Sequence, residues 1–198
     1  MLRNSWKRVA LVLLMGVGAA LPAAAQWISR PASVDLGVNY VADIANARPG
    51  TCGCFTMQGG GVNARLGMAH HLAAVADLSV VNTNSVSGAN YGLGLMTMMA
   101  GPQYRFRAGR YKPYGQVLLG AVHGFNSVFP VNAGNSAAGS SNSATGFVFA
   151  LGAGSEVQMG PKFSARLIEL DYLHTNLPNN SNNWQNHLKI AAGLIYHF

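Results

Sequence analysis

Charge is scarce in this chain: only 10% of its 198 residues are Asp, Glu, Lys or Arg, and only six are acidic. The formal charge of +7 owes much to Arg3, Lys7 and Arg8; without them Lys and Arg number 10 and the excess falls to +4. A nucleic-acid-binding face needs Lys and Arg clustered on one surface. Beyond residue 25 the one such cluster is Arg105, Arg107, Arg110 and Lys112, so no nucleic-acid partner is expected. Long apolar runs are missing as well. No stretch after residue 25 offers about 18 consecutive apolar residues, which excludes a helical membrane protein. No Pro/Ser-rich linker divides residues 26–198, so they read as one domain, with no peptidoglycan-binding module after the last strand.

Cysteine is nearly absent too, with two residues in Cys52-Gly53-Cys54. Bridged Cα atoms usually lie about 5.5–6 Å apart and extended i, i+2 neighbours slightly further, so a local disulfide here would be strained. An exported compartment permits such a disulfide, and an intermolecular bridge or a metal contact stays equally open. Two cysteines do not make a zinc site, and His70-His71 belong to a turn at the opposite end of the fold. No structural metal and no cofactor are expected.

What the chain does have begins at its N-terminus. Arg3, Lys7 and Arg8 precede a short apolar core, 9–20, and Leu21-Pro22-Ala23-Ala24-Ala25 follows. A charged start, an apolar middle too short for a membrane helix and a small-x-small end at Ala23 and Ala25 form a signal peptide. Cleavage after Ala25 would leave a mature chain beginning at Gln26, exported from the cytoplasm.

Period-2 alternation then marks eight segments: 34–43, 57–68, 72–81, 92–106, 113–123, 146–157, 163–174 and 187–198. In the last, Leu188, Ile190, Ala192, Leu194, Tyr196 and Phe198 share one face and His187, Lys189, Gly193 and His197 the other. That length suits the roughly 9–11 residues of a tilted strand crossing a bilayer, with lipid on one side and a polar interior on the other. The fourth segment is apolar on both faces at first. In the seventh, Glu169 and Asp171 share one parity while Arg166 lies on the other with Ile168, Leu170 and Tyr172. The two acids are placed inside; Arg166 either snorkels to the interface or follows a bulge that resets the register.

Connections alternate in length, with 44–56, 82–91, 124–145 and 175–186 long and 69–71, 107–112 and 158–162 short. An up-and-down barrel in an outer membrane has this asymmetry, long loops outside and tight turns in the periplasm. Segments 124–145 and 175–186, rich in Gly, Ser and Asn, read as surface loops, in which Phe125, Val128 and Phe129 form a contact patch or fold over the rim. Aromatic residues fall at both ends: Tyr104, Phe106, Phe163, Tyr196 and Phe198 near the short turns, Tyr91, Phe147, Tyr172 and Trp184 near the long loops. Such bands anchor a barrel at headgroup depth.

The signal peptide, the eight strands, Gly101-Pro102-Gln103-Tyr104-Arg105-Phe106, Asp171-Tyr172 and Phe198 together resemble the small outer-membrane β-barrel proteins of the OmpA/OmpX-like class. The likeness covers essentially the whole mature chain. It implies an all-β fold, an eight-stranded antiparallel up-and-down transmembrane barrel in the outer membrane of a Gram-negative-type cell, embedded in outer-membrane lipid. It also implies that Leu194, Tyr196 and Phe198 are part of what the barrel-assembly machinery recognises.

Eight strands enclose an interior just wide enough for side chains to fill, so no open porin channel is expected. Asp35, Asp77, Glu156, Glu169 and Asp171 face Arg65, Arg105 and Lys189 in that interior, where charges must be paired or hydrated. A lumen salt-bridge network follows. For catalysis, a nucleophile needs a base within hydrogen-bond reach. His123 and His174, with Ser127 and Thr175 nearby, are the loop-end candidates, and Asp77-Leu78-Ser79 is a loose acid-x-serine match; none makes the His-x-Ser pair of outer-membrane deacylases. No enzymatic activity is expected. The role is structural, adhesive or surface-interacting through the outer loops and an extracellular partner, as a monomer. A narrow pore for small solutes, a lipid A-modifying enzyme and a soluble lipocalin-like barrel, which would carry its apolar stripe inward, are the alternatives.

Overall fold

The computed structural model describes residues 33–46, 54–68, 71–86, 92–106, 109–131, 139–179 and 183–198. Residues 1–25, expected to form a signal peptide, lie outside them with Gln26, as do Cys52, His70, Tyr91 and Arg107. Eight strands occupy the described residues: β1 (Val34–Asn46), β2 (Cys54–Gly67), β3 (Leu72–Thr83), β4 (Leu93–Arg105), β5 (Tyr111–Val131), β6 (Gly139–Gln158), β7 (Phe163–Thr175) and β8 (Gln185–His197). Each pairs antiparallel with its neighbours in sequence, and β8 pairs with β1, from Asp35 opposite His197 to Ala45 opposite His187. The sheet is therefore a closed up-and-down barrel. Closure removes the unpaired strand edges, the condition for a sheet to sit in lipid.

The alternation turns the usual burial order inside out. On β8, Lys189 is 1% exposed while Leu194 is 56% exposed. On β1, Asp35, Asn39 and Asp43 are buried while Leu36, Val38 and Tyr40 are bare. A soluble barrel with an apolar cavity would carry the opposite pattern on these strands. Here the apolar stripe faces outward, as a lipid-facing wall requires.

One expectation changes and one alternative is decided. The segment 124–145 is mostly strand: β5 runs on to Val131 and β6 starts at Gly139, with Phe129 opposite Ser141 and Pro130 opposite Ser140. The reason is that a hairpin extending beyond the lipid needs no apolar stripe, so Ser140-Ser141-Asn142-Ser143 pairs through its backbone without showing alternation. A bulge lies between Phe125 and Phe129, where Asn126 takes φ 56°, a left-handed conformation that Asn tolerates. In β7 the structure decides between the two alternatives for Arg166 in favour of the bulge. Arg166 stands opposite Gly193 and Glu169 opposite Ala191, so the strand carries one extra residue, and Leu167 and Ile168 both face outward. This bulge returns Arg166, Glu169 and Asp171 to the same interior face.

Candidate functional site in the barrel lumen

All six acidic residues of the chain, Asp35, Asp43, Asp77, Glu156, Glu169 and Asp171, are buried on the inner face. Towards the short-turn end they meet the cations. Arg65 on β2 donates from Nε to Asp35 Oδ2 at 2.8 Å, and forks onto Glu156 of β6 with Nη1 to Oε1 at 2.7 Å and Nη2 to Oε2 at 3.1 Å. Arg105 stands 3.8 Å from both Asp35 and Glu156. Arg166 lies 3.0 Å from Glu169 and 3.7 Å from Glu156. Deeper in, Lys189 Nζ donates to Asp77 at 2.8 Å and lies 3.3 Å from Asp171 and 3.8 Å from Glu169. Every member of the sequence-derived set is thus within ion-pair reach of another.

The sequence reading missed the neutral links. Gln103 accepts from Arg65 Nη1 at 3.2 Å and donates to Gln116 at 3.0 Å, and Gln116 donates to Asp171 at 2.9 Å. Tyr114 donates its hydroxyl to Glu169 at 2.5 Å, and Arg166 lies over its ring, 5.7 Å from the centroid. Gln103 and Gln116 share the inward parity of Arg105 and Tyr114, so parity alone marks them as lumen groups. Gly152 makes room in turn: a side chain there would collide with the Asp171 carboxylate. Strands β2 and β6 are four apart in an eight-membered ring, so the Arg65–Glu156 contact spans the lumen from wall to wall. Removing such charges singly is costly, because each leaves an unpaired buried partner.

The long-loop half of the lumen is filled differently. Val41, Ala45, Met57, Val81, Leu95, Leu118, Val122, Val148, Ala150 and Leu173 form a continuous apolar core. Phe129, swung inward by the bulge in β5, lies over Gly124, whose missing side chain leaves space for the ring. This decides between the two expectations for the aromatic patch: Phe129 folds into the mouth, whereas Val128 is exposed and Phe125 covers Gly94. The acid on this side, Asp43, is paired with His187 at 2.9 Å. Above it, Gln185 grips the backbone of Leu177, accepting from Leu177 N at 3.1 Å and donating to Leu177 O at 2.9 Å. A cavity of about 110 Å³ opens between these groups at the mouth.

The catalytic candidates are drawn into other partnerships. His123 faces outward and its Nδ1 lies 2.8 Å from Thr145 Oγ1. His174 contacts Asn186 Oδ1 at 2.8 Å and stacks on Trp184, while Thr175 points inward to Gln185 and His187. Asp77 holds Lys189, and Ser79 pairs with Thr97 at 2.6 Å. A Ser–His–Asp line that the sequence did not suggest does exist: Ser164 Oγ to His197 Nε2 at 2.7 Å and His197 Nδ1 to Asp35 Oδ1 at 2.6 Å. Ser164 is 0% exposed, so its oxygen has no face on which to meet a carbonyl. The line joins β7, β8 and β1 across the closing seam. Among the described residues no group of three or more His, Cys, Asp or Glu has the arrangement of a metal site. Cys54 opens β2 on the exposed surface, and its pairing with Cys52 lies outside the described residues.

Outside, aromatic side chains gather in two runs at the short-turn end. His71, Tyr104 and Phe106 form one run at the short-turn end, with ring centroids 5.5 and 4.9 Å apart. Phe163, Tyr196 and Phe198 form another, at 5.2 and 4.7 Å. Leu194, Tyr196 and Phe198 follow one outward stripe.

Residues 9–198 match the model of a family described as the outer membrane protein beta-barrel domain. The structure is similar to that of Neisserial surface protein A (NspA), from Neisseria, with a TM-score of 0.62 at 16% identity, covering 85% of this chain and 100% of the other. It is similar also to Ail, the attachment invasion locus protein of Yersinia pestis, with a TM-score of 0.57 at 17% identity over 85% of this chain and 100% of that one. At these identities the likeness is one of fold. No curated protein matches the chain in sequence.

Proposed function

Because the chain belongs to the outer membrane protein beta-barrel domain family, we propose that it is an integral outer-membrane protein with a non-enzymatic structural or adhesive role, exercised through its long-loop end. The observation that carries this reading is the Arg65–Glu156 fork, which ties opposite walls together and leaves function to the ends of the barrel. The β5–β6 hairpin supports it, since its last pairs, Phe129 with Ser141 to Val131 with Gly139, lie beyond the Gly94–Phe125 pair that tops the β4–β5 ladder. It supplies a projecting surface on the extracellular side.

In this reading the protein is exported by residues 1–25 and cleaved between Ala25 and Gln26. Leu194, Tyr196 and Phe198 present themselves to the barrel-assembly machinery, outer-membrane lipid covers the outward stripe, and the barrel works as a monomer. A Gram-negative host displaying the protein is expected to bind extracellular-matrix proteins or cultured cells more strongly than one displaying a variant without 127–141. Planar-bilayer recordings of the purified barrel are expected to show no single-channel steps. Equal binding by the two strains, together with discrete conductance, would replace this reading with a narrow pore.

A further inference from the structure

The cavity at the long-loop mouth is floored by the apolar core and walled by Ala45, Phe55, Leu93, Leu95, Phe129 and Leu177, with Trp184 at its rim. Most of the polar side chains that border it are committed elsewhere, with Ser127 at its edge. Both ends of the Gln185 amide hold Leu177, the His187 ring sits between Asp43 and Thr175, and Asn46 Oδ1 accepts from Asn186 N at 3.0 Å. A guest that brought several donors or acceptors of its own would lose their hydration and find few partners, which costs affinity. An uncharged apolar guest loses nothing of the kind and gains the burial of its surface. Size narrows the class further. An apolar protein cavity of about 150 Å³ stays dry and takes up benzene; here about 110 Å³ is open on one side, so a ring can seat its edge and leave a substituent outside.

We propose that the extracellular mouth of the barrel is a binding site for small uncharged apolar molecules of single-aromatic-ring size. The site is built by the inward bulge of β5, which brings Phe129 over the lumen, and by the Gln185 clasp, which holds Leu177 opposite Leu95 and Ala45. It lies on the long-loop side of the apolar core, so a guest enters from outside and stops at the core that floors the cavity. This inference stands whether or not the hairpin binds a cell surface.

The test is a ¹⁹F NMR titration of fluorobenzene into the full mature barrel in lipid nanodiscs, with empty discs of the same lipid to account for partitioning. A saturable bound population is expected in the barrel-containing discs alone. Ala45→Phe, which fills the cavity from β1, is expected to weaken it at least tenfold while preserving the heat-dependent electrophoretic mobility of a folded barrel. Phe129→Ala, which enlarges the same space from the other wall, is expected to admit fluoronaphthalene, which the parent barrel refuses. A bound signal no greater than in empty discs overturns the proposal, and so does unchanged affinity in folded Ala45→Phe. Should Ala45→Phe fail to fold, an unaltered size preference in Phe129→Ala overturns it equally.

Discussion

The two halves of the lumen solve the same packing problem with opposite materials. Towards the short turns the space is filled by Arg65, Glu156, Arg166, Glu169 and Lys189, whose contacts are directional and reach across the barrel. Towards the long loops it is filled by Leu95, Leu118, Val122, Val148 and Leu173, which only need to occupy volume. A charge network punishes any departure from its geometry, because a displaced partner is left buried and alone. An apolar filling penalises lost volume but tolerates rearrangement. The charged half therefore sets the distance between opposite walls, and the apolar half leaves the mouth adaptable.

Substitutions can break that contrast or sharpen it. The largest expected effect is Arg65→Ala, which takes the hydrogen-bonded guanidinium from both Asp35 and Glu156, leaves Glu156 with only the longer contacts to Arg105 and Arg166, and is predicted to cost about 3–5 kcal/mol. Urea unfolding in lipid vesicles would measure it, and a loss below 1 kcal/mol would show that the fork is not what holds the walls. Leu118→Ala, in the apolar half, should cost about 2–4 kcal/mol, with the value depending on how far its neighbours collapse. The same unfolding assay applies, and here a small loss would mean that the mouth repacks freely.

Ile190→Arg, on the lipid side of β8, should lower stability by about 2–4 kcal/mol if it lies near the bilayer midplane. Folding yield in vesicles reads this out, and normal insertion would contradict the assignment of faces. The smallest effect is expected at the boundary between the halves. Ser79→Ala leaves the Thr97 hydroxyl without its 2.6 Å partner and should cost about 1–2 kcal/mol. Adding Thr97→Val should recover part of that loss, which a double-mutant cycle would show.

How much of this was legible in the sequence differs by strand. In β1 and β8 the alternation is clear enough for both the lipid face and the lumen face to follow from it, although Val41, Ala45, Ala191 and Ile195 are apolar residues on the lumen side. The identity of the lumen charges follows too. Their partners do not, because Lys189 reaches Asp77 three strands away and the stagger of a closed sheet is not written in any one strand. Arg166 was ambiguous for a related reason: a one-residue bulge inverts parity, and period-2 counting sees only the inversion. The apolar upper lumen did leave a trace. The stretch Leu93-Gly94-Leu95-Met96-Thr97-Met98-Met99 is apolar on both faces since one side meets lipid and the other meets Leu118 and Val122 in the same core. The β5–β6 extension left none, as Ser and Asn outside the bilayer carry no stripe to count.

The seam between β8 and β1 has a consequence for how the barrel is made. β8 arrives last from the chain and brings Lys189, His187 and His197 to Asp77, Asp43 and Asp35, which sit on strands laid down at the beginning. Until that strand docks in register, those carboxylates on β1 and β3 lack these partners. A slip of one residue would point all three groups into lipid instead. Closing the ring and completing these contacts are thus the same event, so an incompletely zipped barrel leaves three carboxylates without partners that the finished one supplies.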